Sequence, residues 1–313
     1  MKGHKYILEP YKGINTRYQC PRCQQKNKTF SRYINTETGE HLHHSVGRCN
    51  RETNCGYHYS PKQYFRQNNI SSDTCDSKAF AKPRTINHKS RPVSYIPHEL
   101  FSDSFKGYEA NHFVNFLLNL FGVEITTQLI SKYFIGTSKK WPGATVFWQV
   151  DCKANVRTGK IMLYDSVTGK RERSPFVHIT WAHTTLKLLE FELTQCMFGE
   201  HLLGGGFTPV AIVESEKTAV IASIYLPQFT WLACGSLNNL RPEMCLVLGG
   251  RDVVLFPDVN GYEKWKAKAD ELSLIAKIVV SDLLEKKANE MEKKKGIDLA
   301  DYLIKFNYTE FKR

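Results

Sequence analysis

The sequence predicts an α/β protein. A parallel sheet flanked by helices closes the chain, preceded by a mixed helix and hairpin subdomain and a small β-rich, cysteine-bearing unit. Three observations predict this. From Thr208 onward, short β-branched runs alternate with amphipathic, helix-forming stretches, the rhythm of parallel strands joined by helical crossovers. Residues 96–205 carry two helical patterns and two runs that alternate apolar with polar. Residues 1–66 are rich in Cys, Tyr, Arg and Lys and have little long periodicity.

In chain order, residues 1–66 form the β-rich unit. Residues 67–95, polar and carrying Pro83 and Pro92, have the composition of a linker. NHFVNFLLNLF and TTQLISKYF place apolar residues at helical spacing and read as two short helices. ATVFWQVD and GKIMLYDSVTGKR, separated by a turn-like stretch ending in Arg157-Thr158-Gly159, read as a hairpin. LKLLEFELTQCMF reads as a helix, and Gly204-Gly205-Gly206 marks a boundary. Residues 206–313 then alternate strand and helix: PVAIV, SEKTAVIASIY, FTWLA, VVLFP, YEKWKAKADEL, AKIVV and LLEKKANEMEKKK. In parallel sheets ligands gather at the carboxyl ends of the strands, which says where chemistry is to be sought.

Composition narrows the class. Of 313 residues, 42% are hydrophobic and 24% charged, ordinary for a chain that buries a core. No run approaches the ~20 consecutive apolar residues of a membrane span. The start, MKGHKYILEPYKG, lacks the apolar stretch of a secretion signal. A cytoplasmic protein with no membrane partner is expected. Residues 1–100 hold 17 Lys+Arg against 7 Asp+Glu, whereas residues 205–313 hold 15 against 15. A basic front and a neutral, carboxylate-rich back point to a polyanion gripped at one end, with nucleic acid as the partner.

Nine cysteines in an unsecreted chain point to metal binding or buried thiols rather than disulfides. Cys20-Pro21-Arg22-Cys23 is a CxxC, and Cys49 and Cys55 follow as a wider pair. Four thiolates in a tetrahedron make a closed structural zinc site. The wide second pair leaves open that His58, or one of His41, His43 and His44, replaces a cysteine. Cys75, Cys152, Cys196, Cys234 and Cys245 show no ligand spacing. Around the cluster, Arg22, Lys26, Lys28, Arg32, Arg48 and Arg51 interleave with Phe30, Tyr33, Tyr57 and Tyr59. Cations neutralise phosphates while aromatic faces stack on unpaired bases, the combination that holds single strands. Taken one at a time, each aromatic is equally a core residue beside the metal.

Glu214 directly follows the run PVAIV, and Asp258 follows VVLFP in the same way. Asp298 and Asp301 lie near the C-terminus in GIDLADYL. Singly, each acid is an ordinary helix cap or first-turn residue. Together, carboxylates on one rim can hold Mg²⁺ through oxygen ligands and leave positions open for water and phosphate. Two such ions about 4 Å apart stabilise attacking and leaving oxygens in phosphoryl transfer.

VAIVESEKTAVIAS, VVLFPDVNGYEKW and GIDLADYL resemble, in that order, the three acidic motifs of a Toprim domain. Downstream of a cysteine zinc module, and after a hairpin similar to the start of a primase core, they resemble DnaG-type bacterial primases. The likeness is to the short kind carried by plasmids, conjugative elements and phages, and it covers most of the chain. The resemblance implies a DNA-dependent RNA polymerase using Mg²⁺ or Mn²⁺, with single-stranded DNA as template and NTPs as substrates. A replicative helicase or another element-encoded replication protein is the implied partner. By position, Glu214 matches the family's glutamate, a metal ligand with acid/base duty, and Asp258 the first acid of a DxD motif. Asn260 stands where the second aspartate belongs, and Asp298 and Asp301 resemble the third acidic set. Lys170, Arg171 and Arg173, with Lys217, would then contact nucleotide or template.

Asn260 is a weaker Mg²⁺ ligand than an aspartate, Thr218 stands where many primases carry a further acid for which Glu216 could compensate, and no helicase-binding domain is expected after the acidic motifs. Two other classes compete with primer synthesis: a Toprim nuclease, and a single-strand-binding accessory protein with a decayed site. A topoisomerase is disfavoured, because the middle segment is too short for a strand-passing gate.

Overall fold

The computed structural model describes residues 5–24, 27–51, 55–68, 92–188, 191–206 and 208–311. Lys26, Cys75, Pro83 and most of the expected linker lie outside the described residues. The chain divides into two compact units, Met1–His88 and Lys89–Arg313.

The first unit is a four-stranded antiparallel sheet, β1 (Tyr6–Leu8), β2 (Phe30–Asn35), β3 (Gly47–Cys49) and β4 (His58–Tyr59), paired in that order. Its core is small: Cys20, Phe30 and Cys49 are buried, with Tyr18, Cys23, Cys55 and Tyr57 packed against them. Gly47 is obligatory, since a Cβ there would lie 2.2 Å from the Ser31 carbonyl oxygen. Ser60 and Gln63 form a reciprocal capping box that starts the helix Pro61–Gln67.

The second unit holds two sheets. The antiparallel one runs β5 (Ile135–Thr137), β6 (Thr145–Val150), β7 (Val156–Met162) and β8 (Ile179–Trp181) in order. The parallel one comprises β9 (Val210–Val213), β10 (Thr230–Ala233), β11 (Asp252–Leu255) and β12 (Lys277–Val280), in the spatial order β10-β9-β11-β12. Every neighbouring pair in it is parallel. Its period-two alternation splits the core. Ala211, Val213, Trp231 and Ala233 face a cluster that also contains Phe113, Phe147 and Met162 from the antiparallel half. Val210, Ile212, Leu232, Val253 and Leu255 face a second cluster around Trp265. The two sheets therefore share one apolar layer. The two predicted short helices are His112–Tyr133, broken at Gly122 by a non-helical backbone (φ 76°, ψ −179°). By length and composition this stretch would cross a membrane, but its Phe113, Leu117, Phe121 and Leu129 are packed in the shared core.

Three local expectations need correction. The hairpin turn is at residues 151–155, where Asp151 Oδ1 accepts the N–H groups of Lys153 and Asn155 at 2.9 Å each. Arg157-Thr158-Gly159 lies inside β7. Gly159 is there because it faces Trp148 across the ladder, and a Cβ would meet that indole at 2.6 Å. LKLLEFELTQCMF is not a helix. Its described part runs without regular structure, tied by Ser94 N–H to the Glu192 carbonyl (3.1 Å) and by the bridge of Phe198 to Ala233. Finally, LLEKKANEMEKKK is two helices, Leu283–Lys287 and Glu290–Lys295, because Asn289 makes a capping box with Glu292 and restarts the chain.

Replacing Gly159 by Ala is expected to lower unfolding stability by about 1–3 kcal/mol through overpacking against Trp148. Urea denaturation of the purified chain measures it.

Candidate functional site

Cys20 and Cys23 come from the turn before β2, Cys49 ends β3, and Cys55 precedes β4. The four Sγ atoms all lie within 4.8 Å of one another, with Cys20–Cys55 at 3.7 Å and Cys23–Cys49 at 4.0 Å. A tetrahedral zinc with Zn–S bonds of ~2.3 Å has sulfur–sulfur edges of ~3.8 Å, so the set fits the ion. The four cysteines complete it without a histidine. His58 meets the Tyr33 hydroxyl (3.0 Å), His41 meets Glu9 (2.9 Å) and His43 meets the Ser45 hydroxyl (2.8 Å). Burial pushes the Cys20 thiol up to about 12, a penalty that a divalent ion reverses by holding the thiolates.

The basic set divides. Arg22 donates to the Cys55 carbonyl at 3.3 Å and so buttresses the metal loop, while Lys28 and Arg48 are exposed and Arg51 is half-buried. The Arg32 guanidinium lies 3.8 Å from the centroid of Tyr18. Phe30 and Tyr57 pack together in the core, 5.7 Å between centroids. For those two aromatics the packing role holds.

In the second unit, Glu214 and Asp258 stand just beyond β9 and β11, neighbouring parallel strands, at the carboxyl ends. Burial raises the pKa of Glu214, and Asp298 adds to the rise. The Leu237 N–H, Lys264 and Arg171 work in the other direction. Asp258 is pushed well above the usual carboxylate range, first by burial, then by the charges of Glu214 and Asp298, against the pull of Lys217 and Arg171. Its Oδ1 is buried without a hydrogen-bond partner. Acids crowded and dried in this way are what an oxygen-liganded divalent cation relieves, so the donor chemistry fits Mg²⁺ or Mn²⁺.

The remaining acids are engaged with protein groups. Asp298 caps the helix Leu299–Leu303 by accepting the Asp301 N–H at 2.8 Å. Lys217 pairs with Asp298 at 3.2 Å and with Asp301 at 3.1 Å. Burial works against that ammonium, yet the two aspartates outweigh it and raise its pKa. Asn260 adopts a left-handed backbone (φ 66°), and its side-chain amide donates to the Lys293 carbonyl at 3.0 Å. A turn of that hand suits asparagine. Among the described residues, only the four cysteines draw three or more ligand atoms within 4.8 Å.

Lys170, Arg171 and Arg173 are exposed on the turn that follows β7, and Arg171 is near enough to act on both Glu214 and Asp258. The reading from sequence missed Lys160. From β7 it reaches Glu216 with a 3.0 Å ion pair and donates to the Gly235 carbonyl at 3.1 Å. Both members are buried, at 7% and 1% exposure. Gly235 belongs to the loop after β10 whose Leu237 N–H holds Glu214. The loop 234–239 thus supplies a donor to Glu214 and an acceptor to Lys160.

Residues 4–70 match a zinc beta-ribbon finger family model. Residues 111–259 match a domain of unknown function, DUF6371. No curated protein matches the chain in sequence. Among solved structures, the chain is similar to the primase fragment of the bacteriophage T7 primase-helicase protein, with 12% identity and a TM-score of 0.38 over 90% of this chain and 98% of that one. It is similar to the zinc-binding and RNA polymerase domains of Aquifex aeolicus primase (13% identity, TM-score 0.36, 97% and 85% covered). It is also similar to the RNA polymerase domain of Mycobacterium tuberculosis primase DnaG (9% identity, TM-score 0.43, 69% and 82% covered).

The purified chain is expected to carry one zinc ion by atomic absorption, and Cys49→Ser to lose it together with amide protection in β2 and β3. Lys160→Met leaves Glu216 buried and unpaired and is expected to cost about 3–5 kcal/mol in urea unfolding. Adding Glu216→Leu is expected to recover most of that loss.

Proposed function

We propose that the chain is a DNA primase, a DNA-dependent RNA polymerase that makes short primers on single-stranded DNA in the cytoplasm for a mobile element. The observation that carries this reading is the pair Glu214 and Asp258, half-buried and mutually repelling at adjacent strand ends, with Asp258 Oδ1 buried and unpartnered. The zinc ribbon with its exposed cations supports it, as does the resemblance of the acidic motifs to a Toprim domain.

In this reading Glu214 and Asp258 hold Mg²⁺ or Mn²⁺, with Asp298 beside them. The ion, when bound, supplies Lewis-acid stabilisation of phosphate oxygens. The chain's own groups do the rest. Leu237 N–H fixes the Glu214 carboxylate, and Lys217 holds Asp298 and Asp301 in place. Arg171, exposed beside the rim, offers charge to the nucleotide phosphates, and Lys170 and Arg173 to the template. Lys28, Arg48 and Arg51 of the ribbon neutralise template phosphates. Template, NTPs and a helicase or other replication protein are the partners.

One observation favours a second reading, a non-catalytic single-strand-binding protein: Asn260 gives its amide to the backbone, where a second DxD acid would face the metal.

A single experiment separates the two. Purified chain is incubated with single-stranded DNA circles, labelled NTPs and Mg²⁺ or Mn²⁺, beside Glu214→Ala and Asp258→Ala. Short labelled products are expected, reduced about a hundredfold or more in both variants, the loss of several kcal/mol of charge stabilisation. Tight binding of the circle with no products and no cleavage overturns the primase reading.

A further inference from the structure

The segment between β7 and β8 carries more than its cations. It leaves Val167, Phe176 and Val177 at 76%, 52% and 56% exposure, although all three are large apolar side chains. Phe176 is not loose. It stacks on the imidazole of His178, with centroids 4.2 Å apart and planes 28° from parallel. Trp141 closes the group, edge-on to His178 at 5.1 Å and 6.4 Å from Phe176. His178 is 7% exposed, so it is the floor under Phe176 and not a second surface ring. A phenyl ring is thus held in position by a buried partner while half of its surface stays in water.

Cations outnumber acids along the segment. Lys140 places its ammonium 5.9 Å from the Trp141 centroid, and Lys170, Arg171 and Arg173 are exposed along the segment. The acids of the segment are turned onto their own backbone. Glu172 accepts the N–H groups of Arg173 (3.0 Å) and Ser174 (2.9 Å), and Asp165 accepts those of Val167 (3.1 Å) and Thr168 (2.7 Å).

The geometry points to a stacking site for single-stranded nucleic acid, with an unpaired base on Phe176 and the flanking phosphates on Lys140 and Arg173. An aromatic face takes any base, and neighbouring cations take the backbone. Duplex DNA keeps its bases stacked on each other and has no face to offer. The site rests on the primase reading in one respect only, that the bound strand is the template. Phe176 is five residues beyond Arg171, at most ~17 Å of extended chain. A base stacked there therefore sits within that reach of Arg171, which acts on Glu214 and Asp258.

The test is fluorescence anisotropy of the full-length chain with a labelled twelve-nucleotide oligo-dT, against its duplex, over a range of salt. Phe176→Ala is expected to weaken single-strand binding roughly tenfold or more with the salt slope unchanged, because no cation is lost. Phe176→Trp is expected to restore it. Arg173→Ala and Lys140→Ala are each expected to make the slope shallower by about 0.7. Single-strand binding by Phe176→Ala within twofold of the parent, or an equal loss for duplex, overturns the site. Primer synthesis by a parent whose Phe176→Ala variant binds normally sinks this site alone. Weakened binding by that variant, in a parent that makes no primers, sinks the primase reading alone.

Discussion

Two carboxylates, Glu214 and Asp258, stand half-buried and close in charge at the ends of neighbouring strands, and the polar groups around them answer that constraint. Ionised groups in a dry setting demand compensation. Here it comes from separate parts of the chain: the Leu237 N–H from the loop after β10, Arg171 from the turn after β7, Lys217 from the helix after β9 and Lys264 from the helix after β11. The compensation is partial, since Asp258 Oδ1 keeps no partner. That unsatisfied atom is the opening on which the proposed metal site rests.

The ribbon meets a different difficulty. Among its described residues only Cys20, Phe30, Val46 and Cys49 are fully buried hydrophobic residues, too few to hold a sheet of short strands by apolar burial. Four sulfurs at tetrahedral spacing supply what the core lacks. Its aromatic residues are accordingly divided between packing, as with Phe30 and Tyr57, and contact with histidine at the surface, as with Tyr33 on His58.

Much of this was legible in the residues. The strands β9 and β10 read clearly because parallel strands covered on both faces appear as unbroken apolar runs. Strands β11 and β12 share the β-branched rhythm although Asp252, Lys277 and Val279 stay exposed, and that reading placed Glu214 and Asp258 at strand ends. The failures have physical causes. LKLLEFELTQCMF has helical spacing of leucines, but pairing with Ser94 and Ala233 draws it out. Gly159 looks like a turn residue, yet it is glycine to admit the Trp148 ring. Lys160 gave no signal, since a lone lysine in a strand reads as solvent-facing until a partner 56 residues away is known. Asn260 read as a diminished ligand, whereas its left-handed backbone gives a local reason for the residue type.

The apolar layer shared by the two sheets has a consequence for how the chain comes into being. Phe113, Phe147 and Tyr164 pack on one another within the antiparallel half, but the cluster they belong to is completed only by Ala211, Val213, Trp231 and Ala233 from the other half. At ~5–20 residues per second on the ribosome, the stretch from 206 to 313 takes roughly 5–20 s to emerge. During that interval the layer lacks the side chains that the parallel sheet contributes. The antiparallel half thus emerges with its share of that layer unfinished until the residues that follow Gly206 have been made.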